Sequence, residues 1–276
     1  MNLNKNCCIA VFGYNRPSHL RRLLIALENH NLREIYFFLD GPKNKLDKIN
    51  QREILIMTKK NPFIKINVLK AKKNQGLKIS VERGLKKLSK KYKFAIIFED
   101  DCVPRKEFFE FIKLNLKLLN TKKFAAICGY LYNPIHKKFL IKEETFTTEF
   151  SNFCPWGYCI DLGVWKNYLK TQNEINKFKN LKNKLLIKIK KISNSKKIWT
   201  LGFMTFCKIN KYNFIYPSRS LIKNIGFDGS GQNSKITNKF DTEYRKSKIT
   251  NKFLPFSNHL NDIHEKFLTN NIKYFY

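Results

Sequence analysis

A chain of 276 residues is long enough for one large α/β domain or two small ones. With 43% hydrophobic and 14% aromatic residues it carries too much apolar surface to stay unfolded, yet no run approaches the roughly 20 apolar residues of a membrane span. The formal charge of +33 invites an anionic partner, but only nine of the 54 basic residues are arginine and the lysines spread from Lys5 to Lys273, the distribution of a solvated surface rather than of a phosphate-reading patch.

In chain order, Cys7 to Gly13 predicts a first strand. Arg16 and Pro17 open a helix with Leu20, Leu23, Leu24 and Leu27 on one face. Glu34 to Leu39 reads as a second strand, Ile49 to Lys59 as a helix, Ile64 to Leu69 as a third strand, Gly76 to Lys91 as a helix and Phe94 to Phe98 as a fourth strand. A helix initiated at Pro104 and a fifth strand, Phe124 to Cys128, follow. This alternation predicts an α/β fold with a mainly parallel, Rossmann-like sheet and helices on both faces.

The second half is less regular. It holds an aromatic turn at Cys154 to Tyr158, a helix near Asp161 to Leu169, a lysine-rich segment from Lys177 to Lys197 with an apolar face, a helix from Ile198 to Ile209, and two extended pieces around Pro217. The seven cysteines are odd in number and sit mostly in apolar stretches, which fits a reducing compartment. No zinc spacing is present.

Glu99, Asp100 and Asp101 follow an apolar strand directly, which places them at its carboxyl end, where open α/β sheets form their ligand crevice. Such a cluster is a hard-oxygen site suited to Mg²⁺ or Mn²⁺, or else an acidic loop capping the next helix. Asp40 ends the second strand before a Gly41-Pro42 turn, and Arg16 follows the first. Arg16, Asp40 and the carboxylate triplet are therefore expected on one rim, as a nucleotide pocket requires.

The segments Ala-Val-Phe-Gly-Tyr-Asn-Arg-Pro (10–17), Leu-Asp-Gly-Pro (39–42), Asn-Gln-Gly-Leu-Lys (74–78) and Phe-Glu-Asp-Asp-Cys-Val-Pro (98–104) together resemble the donor half of a GT-A glycosyltransferase. More narrowly they are similar to bacterial relatives of the Golgi N-acetylglucosaminyltransferase that initiates complex N-glycans. Pro-Trp-Gly-Tyr (155–158) and the stretch from Tyr216 to Gly231 fit the same group. The resemblance implies a GT-A fold, a UDP-linked nucleotide-sugar donor and a glycan or lipid-linked acceptor. It implies that Arg16, Asp40, Lys78, Glu99 and Asp100 bind the nucleotide-sugar and that Asp101 ligates Mn²⁺ or Mg²⁺. It divides the chain into a nucleotide-sugar-binding half (1–132), an acceptor-binding half (133–234) and a C-terminal extension (235–276).

Trp156 and Tyr158 offer aromatic faces for a pyranose, with core packing as the alternative. The general base of an inverting transfer is left to Asp228, in a glycine-flanked turn, or Asp161, after the aromatic turn; a turn aspartate and a helix cap are the alternatives. Relatives carry an acidic residue shortly after the tryptophan matching Trp199 and a histidine where Asn233 stands; this chain has Thr200 and Asn233. A sugar nucleotidyltransferase would need a glycine-rich phosphate loop after the first strand, and Gly13-Tyr-Asn-Arg-Pro supplies one glycine. A nucleic-acid-binding role finds no helix-turn-helix, zinc or aromatic-platform motif. The expected location is cytoplasmic, with peripheral contact at an anionic membrane surface.

Overall fold

The computed structural model describes residues 5–139, 143–175, 199–231 and 236–271. The lysine-rich segment of 177–197 and Asn233 lie outside the described residues.

β1 (Cys7–Gly13), β2 (Glu34–Leu39), β3 (Lys65–Lys70) and β4 (Phe94–Glu99) are linked by α1 (Pro17–Glu28), α2 (Lys45–Lys59) and α3 (Leu77–Leu88). β5 (Cys102–Pro104), α4 (Phe108–Asn115), β6 (Phe124–Cys128), α5 (Asn133–Phe139), β7 (Glu144–Phe150) and β8 (Tyr158–Asp161) follow. Then come α6 (Leu162–Ile175), α7 (Trp199–Ile209), β9 (Asn213–Pro217), β10 (Ile222–Asn224), β11 (Lys248–Leu254) and α8 (Asn258–Asn270).

Nine strands form one sheet in the order β11-β7-β9-β6-β8-β4-β1-β2-β3, and β5 and β10 form a two-stranded ribbon. The β3-β2-β1-β4 half is wholly parallel. β8 runs antiparallel between β4 and β6, so β4 and β6 point the same way and share a carboxyl edge. The chain is thus α/β with a mainly parallel, Rossmann-like sheet. The segment beyond 235 also enters it, because β11 pairs with β7.

Helices cover both faces. Val11 pairs with Phe98 and Phe12 with Glu99, so Phe98 and Phe12 point to opposite sides. Phe108 and Phe109 of α4 pack on Phe98, and Phe109 also meets His30 at the end of α1. On the other side Gly84 of α3 lies against the rings of Phe12 and Phe38, and α3, α6 and α7 pack together.

The structure differs from the sequence expectation in three places. Residues 102–104 pair with β10 instead of opening a helix, which begins only at Phe108. α2 starts at Lys45, four residues early, because Asn44 and Asp47 form a reciprocal capping box. α5, β7, β8, β11 and α8 were not anticipated. Among the described residues no helix is long and apolar enough to cross a membrane.

Candidate functional site at the carboxyl edge of the sheet

β1, β2 and β4 end on one rim. Arg16 stands at the start of α1, where its guanidinium bonds Asp100 and also reaches Asp101 Oδ2 at 2.8 Å. The Tyr14 amide donates to Asp100 Oδ2 at 3.4 Å. Sequence and structure therefore agree in bringing Arg16 and the triplet together. Burial opposes the charge on Arg16, but the two carboxylates outweigh it and hold the guanidinium firmly protonated.

The carboxylates are crowded. Burial, then the charges of Asp101 and Asp100, push Glu99 up to about 8. Burial also raises Asp100, against the pull of Arg16. Three adjacent carboxylates facing this guanidinium leave the spot electron-rich, the condition under which a cation or a proton is retained.

Asp40 is on the same rim but is occupied by its own chain. Oδ1 accepts from the amides of Gly41 at 2.8 Å and Gln75 at 2.9 Å, and Oδ2 from the Gly76 amide at 2.8 Å and Asn74 Nδ2 at 3.0 Å. With both oxygens doubly engaged, the carboxylate organises the loop that launches α3. A side chain at Gly41 would collide with the main chain of Lys73 and Asn74, so a glycine permits this close approach. Lys78 lies in the first turn of α3, half-buried at the same edge.

A second-half loop closes over the triplet. The Ile225 amide donates to the Asp101 carbonyl at 2.9 Å, and the Gly226 main chain lies directly against Asp101 Oδ2. Two residues on, Asp228 accepts from the Ser230 amide and hydroxyl at 3.0 and 2.7 Å and faces His19 Nε2 at 3.1 Å. Although burial works the other way, the bonds from Ser230 and the nearby His19 lower the pKa of Asp228. His19 was missed from the sequence; its place one turn into α1, three residues after Arg16, was the available signal.

Three other expected residues fall differently. Asp161 pairs with Phe94, at the amino end of β4 and so on the edge opposite the triplet, where it caps α6 by accepting from the amides of Gly163 and Val164. The structure does not bring it to the rim. Trp156 is buried among the rings of Tyr130, Tyr132, Phe227 and Phe240. Tyr158 is buried and pairs across the sheet with Ile97, two residues before Glu99. Its hydroxyl lacks a hydrogen-bond partner, and burial together with the charge of Glu99 raises its pKa.

The fold and the rim define the class: an α/β protein with a carboxylate cluster at the carboxyl edge of a mainly parallel sheet. No known family profile matches the chain, and no curated protein matches it. Among solved structures it is similar to the mannosyltransferase PcManGT from Pyrobaculum calidifontis in complex with GDP-Man and Mn²⁺ (11% identity, TM-score 0.42, 60% of this chain). That match spans 47% of the mannosyltransferase, about half its length. A197 from STIV is similar at 14% identity and TM-score 0.39, over 78% of this chain and 83% of that one. HddC from Yersinia pseudotuberculosis is similar at 13% identity and TM-score 0.36, over 58% and 79%. At these scores and identities the likeness does not extend to chemistry, and the narrower resemblance to N-acetylglucosaminyltransferases rests on the motif residues alone.

Proposed function

We propose that the chain is a nucleotide-sugar-dependent glycosyltransferase of the GT-A type, with a glycan or lipid-linked acceptor. The observation that carries this reading is the rim itself, where Arg16 bridges Asp100 and Asp101 while burial, reinforced by the neighbouring carboxylates, pushes Glu99 to about 8. Such a perturbed, converging set at the carboxyl edge marks a ligand site, and its chemistry suits a sugar nucleotide carrying a diphosphate and a divalent ion.

The residues fit Mn²⁺ or Mg²⁺. Asp101 Oδ1 meets a weak donor, the Cys102 thiol at 3.4 Å, and hard carboxylate oxygens suit these ions. Among the described residues no three His, Cys, Asp or Glu side chains are grouped as a cage. Asp101 would therefore hold the ion with oxygens from the diphosphate and water, a usual arrangement for Mg²⁺. When bound, the ion would neutralise the departing diphosphate. Arg16 and Lys78 supply positive charge at the same edge, and Asp40 fixes the loop that positions Lys78.

Asp228 is the second-half carboxylate beside this rim and is the proposed proton acceptor for the attacking hydroxyl. Its lowered pKa makes it a weak one, so its work depends on placement more than on basicity. Asp161 has a structural role as a cap.

The test is a screen of UDP- and GDP-sugars for turnover with Mn²⁺ and with EDTA, extended to Asp101→Asn and Asp228→Asn. The wild type should turn over one donor class with metal, and Asp101→Asn should lose about 100-fold or more while remaining folded. Full wild-type turnover in EDTA would overturn the metal scheme, and no turnover of any sugar nucleotide would overturn the reading as a whole.

A further inference from the structure

α2 is built inside out. Its buried residues are Asp47, Gln51, Ile54 and Thr58, three of them polar, whereas Leu46, Ile49 and Ile56 are 63%, 66% and 49% exposed. A helix lying on a soluble domain normally shows the reverse arrangement. The polar inner residues have assigned work. Asp47 binds Tyr14 and Asn15 and, through its amide, closes the Asn44 cap; Gln51 donates to the carbonyls of Tyr14 and Asp40. That binding fixes the inner face and leaves the apolar outer face without a partner among the described residues.

The outer face is also organised. Ile49 and Ile56 stand seven residues apart on one line, with Leu46 one turn before Ile49. Lys45, Lys48, Arg52 and Lys59 descend beside that line, all exposed, and Lys60 follows at the end of the helix. Phe63 is 70% exposed and fixed there, because Asn61 Oδ1 accepts from the amides of Phe63 and Ile64 and Asn61 Nδ2 holds Glu28. Ile25, 55% exposed and one turn beyond Arg21, widens the patch from α1. Arg21 and Glu53 join the two helices at 3.1 Å.

We propose that this face docks on an anionic lipid bilayer, with Leu46, Ile49, Ile56, Phe63 and Ile25 entering the boundary below the headgroups and the bases of α2 meeting lipid phosphates. Charge complementarity selects this occupant. The five bases Lys45, Lys48, Arg52, Lys59 and Lys60 outnumber the acids beside them, Glu53, which is paired with Arg21, and Glu28, which is bonded by Asn61. A two-fold contact between copies would set those bases against themselves, and a nucleic acid backbone has no use for five large apolar side chains. A basic helix with an exposed apolar stripe is what lies in the plane of a bilayer. The sequence reads the segment of 177–197, outside the described residues, as a packed surface helix ahead of a membrane-docking one; the face proposed here is a different one, independent of any transfer reaction.

The experiment is co-sedimentation of the full chain with vesicles of phosphatidylcholine containing about one-third phosphatidylglycerol, and with phosphatidylcholine alone. The wild type should prefer the anionic vesicles. Leu46→Gln, Ile49→Gln and Phe63→Gln combined should lower that affinity about tenfold or more with Tm unchanged, since each residue is largely exposed. Lys45→Gln with Lys48→Gln should weaken binding more than Lys86→Gln with Lys87→Gln on α3. Phe63→Trp should shift its fluorescence to the blue on vesicles.

Absence of wild-type binding, full binding by the folded triple variant, equal losses from the two lysine pairs, or an unshifted Trp signal would each overturn the proposal. So would self-association of the wild type abolished by the triple variant, which would give the face to a second copy.

Discussion

The rim around Asp101 and the core around Trp156 are neighbours built on opposite principles. At the rim, short polar side chains hold loops in place: Asp40 takes four hydrogen bonds from its own chain, Asp47 gathers three segments, and Arg16 spans two carboxylates. In the second half, shape comes from rings, with Trp156, Tyr130, Tyr132, Phe227, Phe240, Phe267 and His264 meeting edge to face or tilted. The contrast teaches that the first region is specified by hydrogen-bond direction and the second by volume. Each should therefore fail under a different kind of substitution.

The largest effect is expected from removing volume. Trp156→Ala leaves a cavity in the aromatic cluster and should cost about 3–5 kcal/mol in urea unfolding. If the variant keeps wild-type stability and only its acceptor KM rises, Trp156 belongs to the sugar site and the contrast between the regions weakens.

Changing hydrogen-bond direction at constant volume comes next. Asp40→Asn turns an acceptor toward two donors and should cost about 1–3 kcal/mol. The urea midpoint reads this loss, and an unchanged midpoint would show that the loop is held by other contacts.

The smallest effect sharpens the comparison through pH. His264 is buried among Tyr132, Phe150 and Tyr216, neither ring nitrogen has a hydrogen-bond partner, and burial pushes it down to about 3 from 6.5. A histidine kept neutral in the fold takes up its proton only on unfolding, so stability is full above about 6.5 and falls as pH drops toward 3. The slope is at most roughly 1.4 kcal/mol per pH unit. His264→Phe should remove that part of the acid sensitivity and leave stability at pH 7 equal or higher, as thermal unfolding between pH 5 and 7 would show.

What the sequence made legible follows the same division. The first four strands, their helices and the arrival of Arg16, Asp40 and Glu99 to Asp101 on one edge follow from local periodicity and from the rule that strand ends face the crevice. What Asp40 does there was not legible, because its partners Asn74 to Gly76 are more than thirty residues away. β8 was hidden for a different reason: four buried residues with a neighbour on each side carry no alternation to read. That strand also decides the fate of Asp161, since its antiparallel run carries the residue to the far edge. β7, Glu-Thr-Phe-Thr-Thr-Glu-Phe, shows no clean alternation: its threonines are buried on pairing with β9 and β11, and polar residues on both faces masked the strand.

Gly226 bears no functional group, yet a Cβ there would stand 2.1 Å from Asp101 Oδ2. Its backbone is in an ordinary conformation, so the demand is for space alone. Any replacement must push the carboxylate aside or lift the loop that carries Asp228. In a library of single substitutions this glycine would therefore score with the acids it touches, and a map of intolerant positions would outline the rim partly through a residue that performs no chemistry.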